Sequence, residues 1–185
     1  LQYPVKEKFA NSSSWNTSRG AHVVEVITDN GLTGWGEGSD GLSRSALEAH
    51  VIGRSPFEYA AIWQVLHENR VSPRAISGLD IALWDVMGKA LEMPVYELLG
   101  GAVRTEIPTY ASGLFCKDRP DMTQALVEEA KGYVDQGFGA MKMKIGFGEA
   151  YDVKNVTAVR QAIGGDVLFA VVANCGYDVS TAIDV

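Results

Sequence analysis

The chain has 185 residues, 46% of them hydrophobic and 21% charged, the balance of a soluble globular protein of one domain or two small ones. A formal net charge of -7 without any basic run argues against a nucleic-acid surface, and no apolar run is long enough to span a membrane. Cys116 and Cys175 lie far apart and outside any CxxC spacing, so the chain has no disulfide framework or zinc site and suits a reducing cytosol. No secretory signal is visible, although the chain begins at Leu1 rather than Met.

Residues 1–38 read as β. Ala21 to Thr28 is β-branched and apolar, and Asn30-Gly31 separates it from Leu32-Thr33-Gly34-Trp35-Gly36-Glu37. That pattern predicts a hairpin whose two turn residues both take positive φ. Phe9 to Ser18 reads as a polar loop with one large aromatic. It is either a mobile surface loop or a lid whose Trp15 contacts a ligand.

Residues 43–70 read as helical, with Ser55-Pro56 starting a segment whose face is Phe57, Ala60, Ala61, Val65 and Leu66. His50 and His67 have no ligand partner at helical spacing and are placed on the surface. Residues 75–92 give the clearest helix. Leu79, Ala82, Leu83, Val86, Met87, Ala90 and Leu91 form its apolar stripe, and Pro94 ends it. Asp80 and Asp85 on that helix are assigned packing roles with local hydrogen bonds rather than acid–base work.

The pattern changes near Thr105. Strands are expected at Ile107–Ser112, Phe138–Gly146 and Val167–Asn174. Helices are expected at Met122–Gln136, Ala150–Ile163 (buried side Val153, Val156, Val159, Ile163) and from Asp178 onward. This β-α-β-α-β-α order implies a parallel sheet with right-handed crossovers, its strands covered by helices on both faces. Ligands of such sheets lie at the carboxyl ends of the strands, where Lys142, Lys144 and Asn174 fall.

Gly146-Phe147-Gly148 lies between a strand and a helix, but position 151 is Tyr151 rather than glycine. No acidic residue follows to hold a ribose, so dinucleotide binding is a weak reading. Lys142 and Lys144 are more informative. Two apart on a strand, they point the same way, with Met141, Met143 and Ile145 on the other face. A solvated basic face would explain them, but it fits poorly with helices on both sides. The alternative is a base kept neutral by a neighbouring ammonium and able to take a proton from carbon. A proton alpha to a carboxylate is weakly acidic, and its removal calls for a metal ion to stabilise the enediolate.

The chain resembles the enolase superfamily, specifically its mandelate racemase and muconate lactonizing enzyme group. The resemblance rests on Gly31-Leu32-Thr33-Gly34-Trp35-Gly36-Glu37, on Ala75 to Asp85 with Gly88-Lys89, Pro94 and Leu98-Leu99-Gly100, on Lys142-x-Lys144, and on Ala173-Asn174. It implies an α+β cap over residues 1–104 followed by an α/β part, 105–185, that forms the first three strands of a modified TIM barrel. Lys144 matches the family's proton-abstracting base, and Lys142 the lysine that polarises the substrate carboxylate. Trp15, Tyr110 and Asn174 are the implied substrate contacts. The implied cofactor is Mg2+, and the implied substrate a small carboxylic acid or acid sugar. The reaction would be that of a dehydratase or racemase, or alternatively a muconate-type cycloisomerase. A cytoplasmic homo-oligomer with neither nucleic-acid nor membrane partners is expected.

Three departures from the pattern stand out. The family's third strand carries an Asp that binds the metal, and Val172 holds that position here. Only three barrel strands are present, and the family places its remaining metal ligands and its opposite acid or base on later ones. The stretch 39–53 is shorter than the usual connection, and the first cap strand is clipped. The chain alone is therefore expected neither to bind Mg2+ tightly nor to turn over an acid sugar. Its barrel part is expected to be covered by another copy, partly disordered, or part of a longer polypeptide. The rivals are a non-catalytic protein and a doubly wound module whose lysines hold an anion.

Overall fold

The computed structural model describes residues 1–12 and 14–185. Ser13, inside the serine-rich segment, lies outside the described residues. The chain divides into two compact units, one formed by residues 1–2 and 20–105 and the other by residues 3–19 and 106–185.

In the first unit, strands β3 (His22–Ile27) and β4 (Thr33–Gly38) form an antiparallel hairpin with Val24 opposite Gly36 and Ile27 opposite Thr33. The hairpin matches expectation but its turn does not. The Gly31 amide donates to Thr28 O (3.0 Å), and Gly31 alone of Asp29-Asn30-Gly31 takes positive φ, at 86°. A five-residue connection with one left-handed glycine replaces the two-residue turn.

Helix α1 (Arg44–His50) is followed by a 3-10 turn at Pro56–Glu58 and helix α2 (Tyr59–Glu68). Ser55 caps the turn, with Glu58 reaching back to the Ser55 amide, 3.2 Å away. The buried face of α2 is Ile62 and Leu66, with Tyr59 packed beside them. Phe57, Ala60 and Ala61, expected on that face, are exposed because the stripe is rotated by one residue.

Helix α3 (Pro73–Ala90) buries Leu79, Ala82, Leu83, Val86 and Met87 as its periodicity predicts, whereas Ala90 and Leu91 emerge into solvent at its end. It rests on β4 through glycines, since a Cβ at Gly36 would lie 2.0 Å from Gly78 O. Asp85 accepts from Trp35 N (2.9 Å) and Lys89 Nζ (2.8 Å), fastening helix to strand, so its role is packing. The short helix α4 (Val95–Leu98) follows.

In the second unit, β1 (Gln2–Asn11), β2 (Ser14–Gly20) and β6 (Cys116–Lys117) form one sheet in the order β2-β1-β6. Most of the segment expected as a loop, Phe9–Ser18, is therefore strand. Its polar composition misled, because these strands are held by backbone pairing rather than by an apolar face.

The second sheet is parallel, with β5 (Ala111–Ser112), β7 (Ala140–Lys144) and β8 (Leu168–Val172) in the order β5-β7-β8. Strand β5 is only two residues long, and Ile107, expected inside it, is exposed. Helix α5 (Met122–Asp135) starts at Asp121, whose side chain accepts from Gln124 N, and buries Met122, Leu126 and Ala130. Helix α6 (Glu149–Ile163) buries Val159 and Ile163, and α7 (Val179–Asp184) starts at a capping Asp178.

Met141 and Met143 pack with Leu126, Ala130, Val159 and Ile163 in one cluster, so α5 and α6 both lie on the methionine face of β7. The expectation of helices on both faces is corrected. Among the described residues no helix packs on the lysine face, as on a barrel strand whose other side points to the lumen. The architecture is mixed α+β with a partial parallel sheet, as a cap followed by the start of a barrel requires.

Candidate active site

Strand β7 alternates buried Met141, Met143 and Ile145 with half-buried Lys142 and Lys144, so one face fixes the core and the other presents two ammonium groups. Lys142 Nζ donates to Tyr110 OH at 2.9 Å and lies 4.9 Å from that ring's centroid. Lys144 Nζ donates to Asn174 Oδ1 at 2.8 Å and lies 5.7 Å from the centroid of Phe115. Four residues singled out by sequence are thus brought together in two pairs, with Phe115, which sequence reasoning missed, against the second. Trp15, the fifth, is half exposed with Lys8 Nζ 5.4 Å from its ring centroid.

Desolvation, and then the charge of Lys142, hold the Lys144 amine below the ordinary lysine value. The hydrogen bond from Lys142, reinforced by its charge, lowers the Tyr110 phenol. The arrangement can present a cation, a more readily neutral amine and a polarised phenol to one small anionic molecule.

The loop bearing Phe115 is anchored from below. Glu129 accepts from Leu114 N (2.9 Å), Tyr133 OH (2.8 Å) and Lys117 Nζ (2.6 Å). Burial pushes the Glu129 carboxyl up, but those three donors together outweigh it and leave the group below its usual range. The loop after β8 is anchored by the hairpin tip, where Ser12 Oγ donates to Ala173 O. Gly146 and Gly176 make room for Ser12, since a Cβ on either would fall within 2.5 Å of the Ser12 Cβ.

A buried polar group on α6 also escaped the sequence reading. Asp152 and Asn155 are fully buried, whereas Val153, expected inside, is 48% exposed. The signal was available. Positions 152, 155, 159 and 163 follow helical spacing, and the polar side chains at two of them implied partners rather than solvent.

Val172 pairs in register with Lys144 and is half-buried on its row of the sheet. Among the described residues no group of three His, Cys, Asp or Glu could hold a metal ion. Valine offers no lone pair to a hard cation that demands oxygen ligands. The residues present do not fit Mg2+.

Comparison with known proteins places this geometry. Residues 8–100 match the mandelate racemase / muconate lactonizing enzyme N-terminal domain, and residues 125–185 match the enolase C-terminal domain-like family. The D-galactarolactone cycloisomerase of Agrobacterium fabrum is 38% identical over 93% of this chain and 49% of its own length. The D-galactonate dehydratase of Xanthomonas oryzae pv. oryzae is 36% identical over 80% of this chain and 43% of its own. The crystal structure of an enolase-superfamily member from Polaromonas sp. JS666 superposes with a TM-score of 0.80 at 33% identity, covering 98% of this chain and 52% of that one. The chain belongs to the mandelate racemase / muconate lactonizing enzyme family of the enolase superfamily. It spans about half the length of these relatives. Members of the superfamily generally use Mg2+. No helix among the described residues is long and apolar enough to cross a membrane.

Proposed function

We propose that this chain carries the lysine half of a site that removes a proton alpha to the carboxylate of a small acid, with an acid sugar or its lactone as the substrate class. Lys144 is the base, and the Lys142 ammonium receives the carboxylate and the negative charge that develops on it. Tyr110 and Asn174 orient the two lysines and contact substrate, and Trp15 closes over it from the hairpin. The cap is assigned to residues 1–104 and the partial barrel to 105–185, with hairpin 3–19 packed in the barrel unit. A homo-oligomer in the cytoplasm belongs to the same reading.

The observation that carries the proposal is the pairing of Lys142 with Tyr110 and Lys144 with Asn174 on one face of β7, with Lys144 shifted toward neutrality. The relatives' names, a cycloisomerase and a dehydratase of acid sugars, support the substrate class. Val172 and its surroundings do not fit a divalent cation. The chain's own chemistry is carboxylate capture and proton transfer at Lys144 Nζ, and exchange is expected to be slow because the Lys142 ammonium alone takes the enediolate charge that a metal ion would otherwise share. Dehydration, cyclisation or racemisation to product would follow only with further acid–base groups.

The test is α-proton exchange of D-galactonate and D-galactarolactone in deuterated water, followed by NMR. Exchange should depend on Lys144 and disappear in Lys144→Ala, while Lys142→Ala should weaken carboxylate binding as well. Exchange that is absent, or indifferent to Lys144, refutes the proposal. Carboxylate binding that persists without exchange supports the second reading, an anion-holding protein, which Val172 favours.

A further inference from the structure

We propose that Asp152 is a positioning residue for the lysine pair: it ties the loop after β7 to the loop after β8 and so keeps Asn174 against Lys144. The proposal rests on the lysine site described above. Asp152 Oδ2 accepts from the amides of Gly146 (2.6 Å) and Phe147 (3.1 Å), both in the loop that follows Lys144. The same oxygen accepts from the hydroxyl of Tyr177, three residues beyond Asn174. One carboxylate oxygen therefore joins the loop after the strand that carries Lys144 to the loop that carries Asn174.

Three further observations support this role. Asp152 is completely buried, and among the described residues no donor reaches its Oδ1. A carboxylate left half satisfied in the interior is unfavourable, so its retention calls for a reason beyond packing. Asp152 lies in the first turn of α6, where the helix N-terminus favours a carboxylate, but the hydrogen bonds of its side chain all go to groups outside the helix.

Second, Asn174 and Cys175 are consecutive non-glycine residues in the left-handed region, with φ of 46° and 64°. Such backbone persists only where its surroundings over-determine it. The fastenings of this loop include Ser12 at Ala173 O, the turn bond from Gly176 N to Ala173 O (2.8 Å), Lys144 on Asn174 and Tyr177 on Asp152. Third, desolvation and the Asp152 charge push the Tyr177 phenol up to about 12, so it remains a donor throughout the neutral range.

The test uses the full 185-residue chain labelled with 15N. The Asn174 side-chain amide is assigned by its loss in Asn174→Asp. Tyr177→Phe keeps the carboxylate and cuts only the tie between loops; it should move the Asn174 amide resonances. Asp152→Asn should move them as well and speed hydrogen exchange at the Gly146 and Phe147 amides by about tenfold. Val159→Ala, a core truncation on the same helix, should lower the melting temperature and leave the Asn174 signals in place. A folded Tyr177→Phe protein with unmoved Asn174 resonances overturns the proposal, and so does an equal shift in Val159→Ala. If Asp152→Asn does not fold, Tyr177→Phe decides. These signals are read without substrate, so absent α-proton exchange would sink the base assignment and leave the positioning result standing on its own.

Discussion

Replacing Gly36 by alanine should break the first unit at its central contact. Gly34, Gly36 and Gly38 are the residues of β4 that face α3, and they let the helix backbone lie directly on the strand. A Cβ at Gly36 would sit 2.0 Å from Gly78 O and 2.8 Å from Ala82 N, both backbone atoms of α3. No side chain can rotate away to relieve the clash. Ordinary contact begins at 3.4 Å, so the helix would have to retreat by about 1.4 Å. That retreat would loosen Leu79 and Leu83, with Ile76 on the same helix, from Val24 and Val26 of β3, which pack against their cluster. Overpacking alone costs about 1–3 kcal/mol, and the lost packing adds to it, so a destabilisation of about 3 kcal/mol or more is expected. Urea unfolding followed by circular dichroism measures it, with Gly53→Ala as the comparison. Gly53 has open space around it but positive φ, so its cost is backbone strain of about 1 kcal/mol. A Gly36→Ala protein within about 0.5 kcal/mol of the parent would refute the reasoning.

Lys142→Met removes the second cause of the lowered Lys144 value, so Lys144 should titrate at higher pH and the rising limb of α-proton exchange should follow it. An unmoved pH profile excludes electrostatic coupling between the two. The sign for stability follows from the same shift. Lys144 holds its proton less well folded than unfolded, so it opposes folding below its folded value, and the penalty fades as pH rises toward 10.5. Lys144→Met should therefore stabilise at pH 7, by no more than about 1 kcal/mol after solvent screening, and lose that advantage at high pH in thermal melts. Glu129 is the opposite case. Its folded value is depressed, so its contribution is present above the unfolded value of 4.5 and is lost as pH falls through the folded one. Glu129→Gln should cost about 1–3 kcal/mol at pH 7 and flatten the acid limb below 4.5; equal acid profiles for the two proteins would contradict this. Titration calorimetry with Mg2+ should show no tight binding, because Val172 supplies no ligand; tight binding overturns that account.

Periodicity made the apolar frame legible. The stripe of α3 and the alternation of β7 were correct because each is set by the geometry of its own element. Errors arose where partners decide. The Ser- and Asn-rich segment around Trp15 carries no apolar pattern, and it became strand through backbone pairing with β1, which is itself paired to the distant β6. The rotated face of α2 and the burial of Asp152 in place of Val153 have one origin: which side of a helix faces inward depends on what packs there. At the site, spacing identified the lysines, whereas Phe115 and Tyr177 entered through loops whose course no local pattern fixes. Strand hydrophobicity suggests two covered faces for β7, whereas its two lysines mark one of them as open, and the helices lie on the other face alone.

The second unit is discontinuous in sequence, built from residues 3–19 and 106–185, and this constrains how the chain can fold. Ser12 and Ala173 meet across a separation of 161 positions. Bringing the hairpin back to β6 closes a loop formed by residues 20–105, at an entropic cost of about 4 kcal/mol before any contact rewards it. Contacts of such high order slow folding. If residues 20–105 fold first, they remove most of that loop's freedom and lower the cost of closure. Consolidation of the first unit should therefore precede docking of the hairpin, and the lysine face should be the last part of the molecule to take shape.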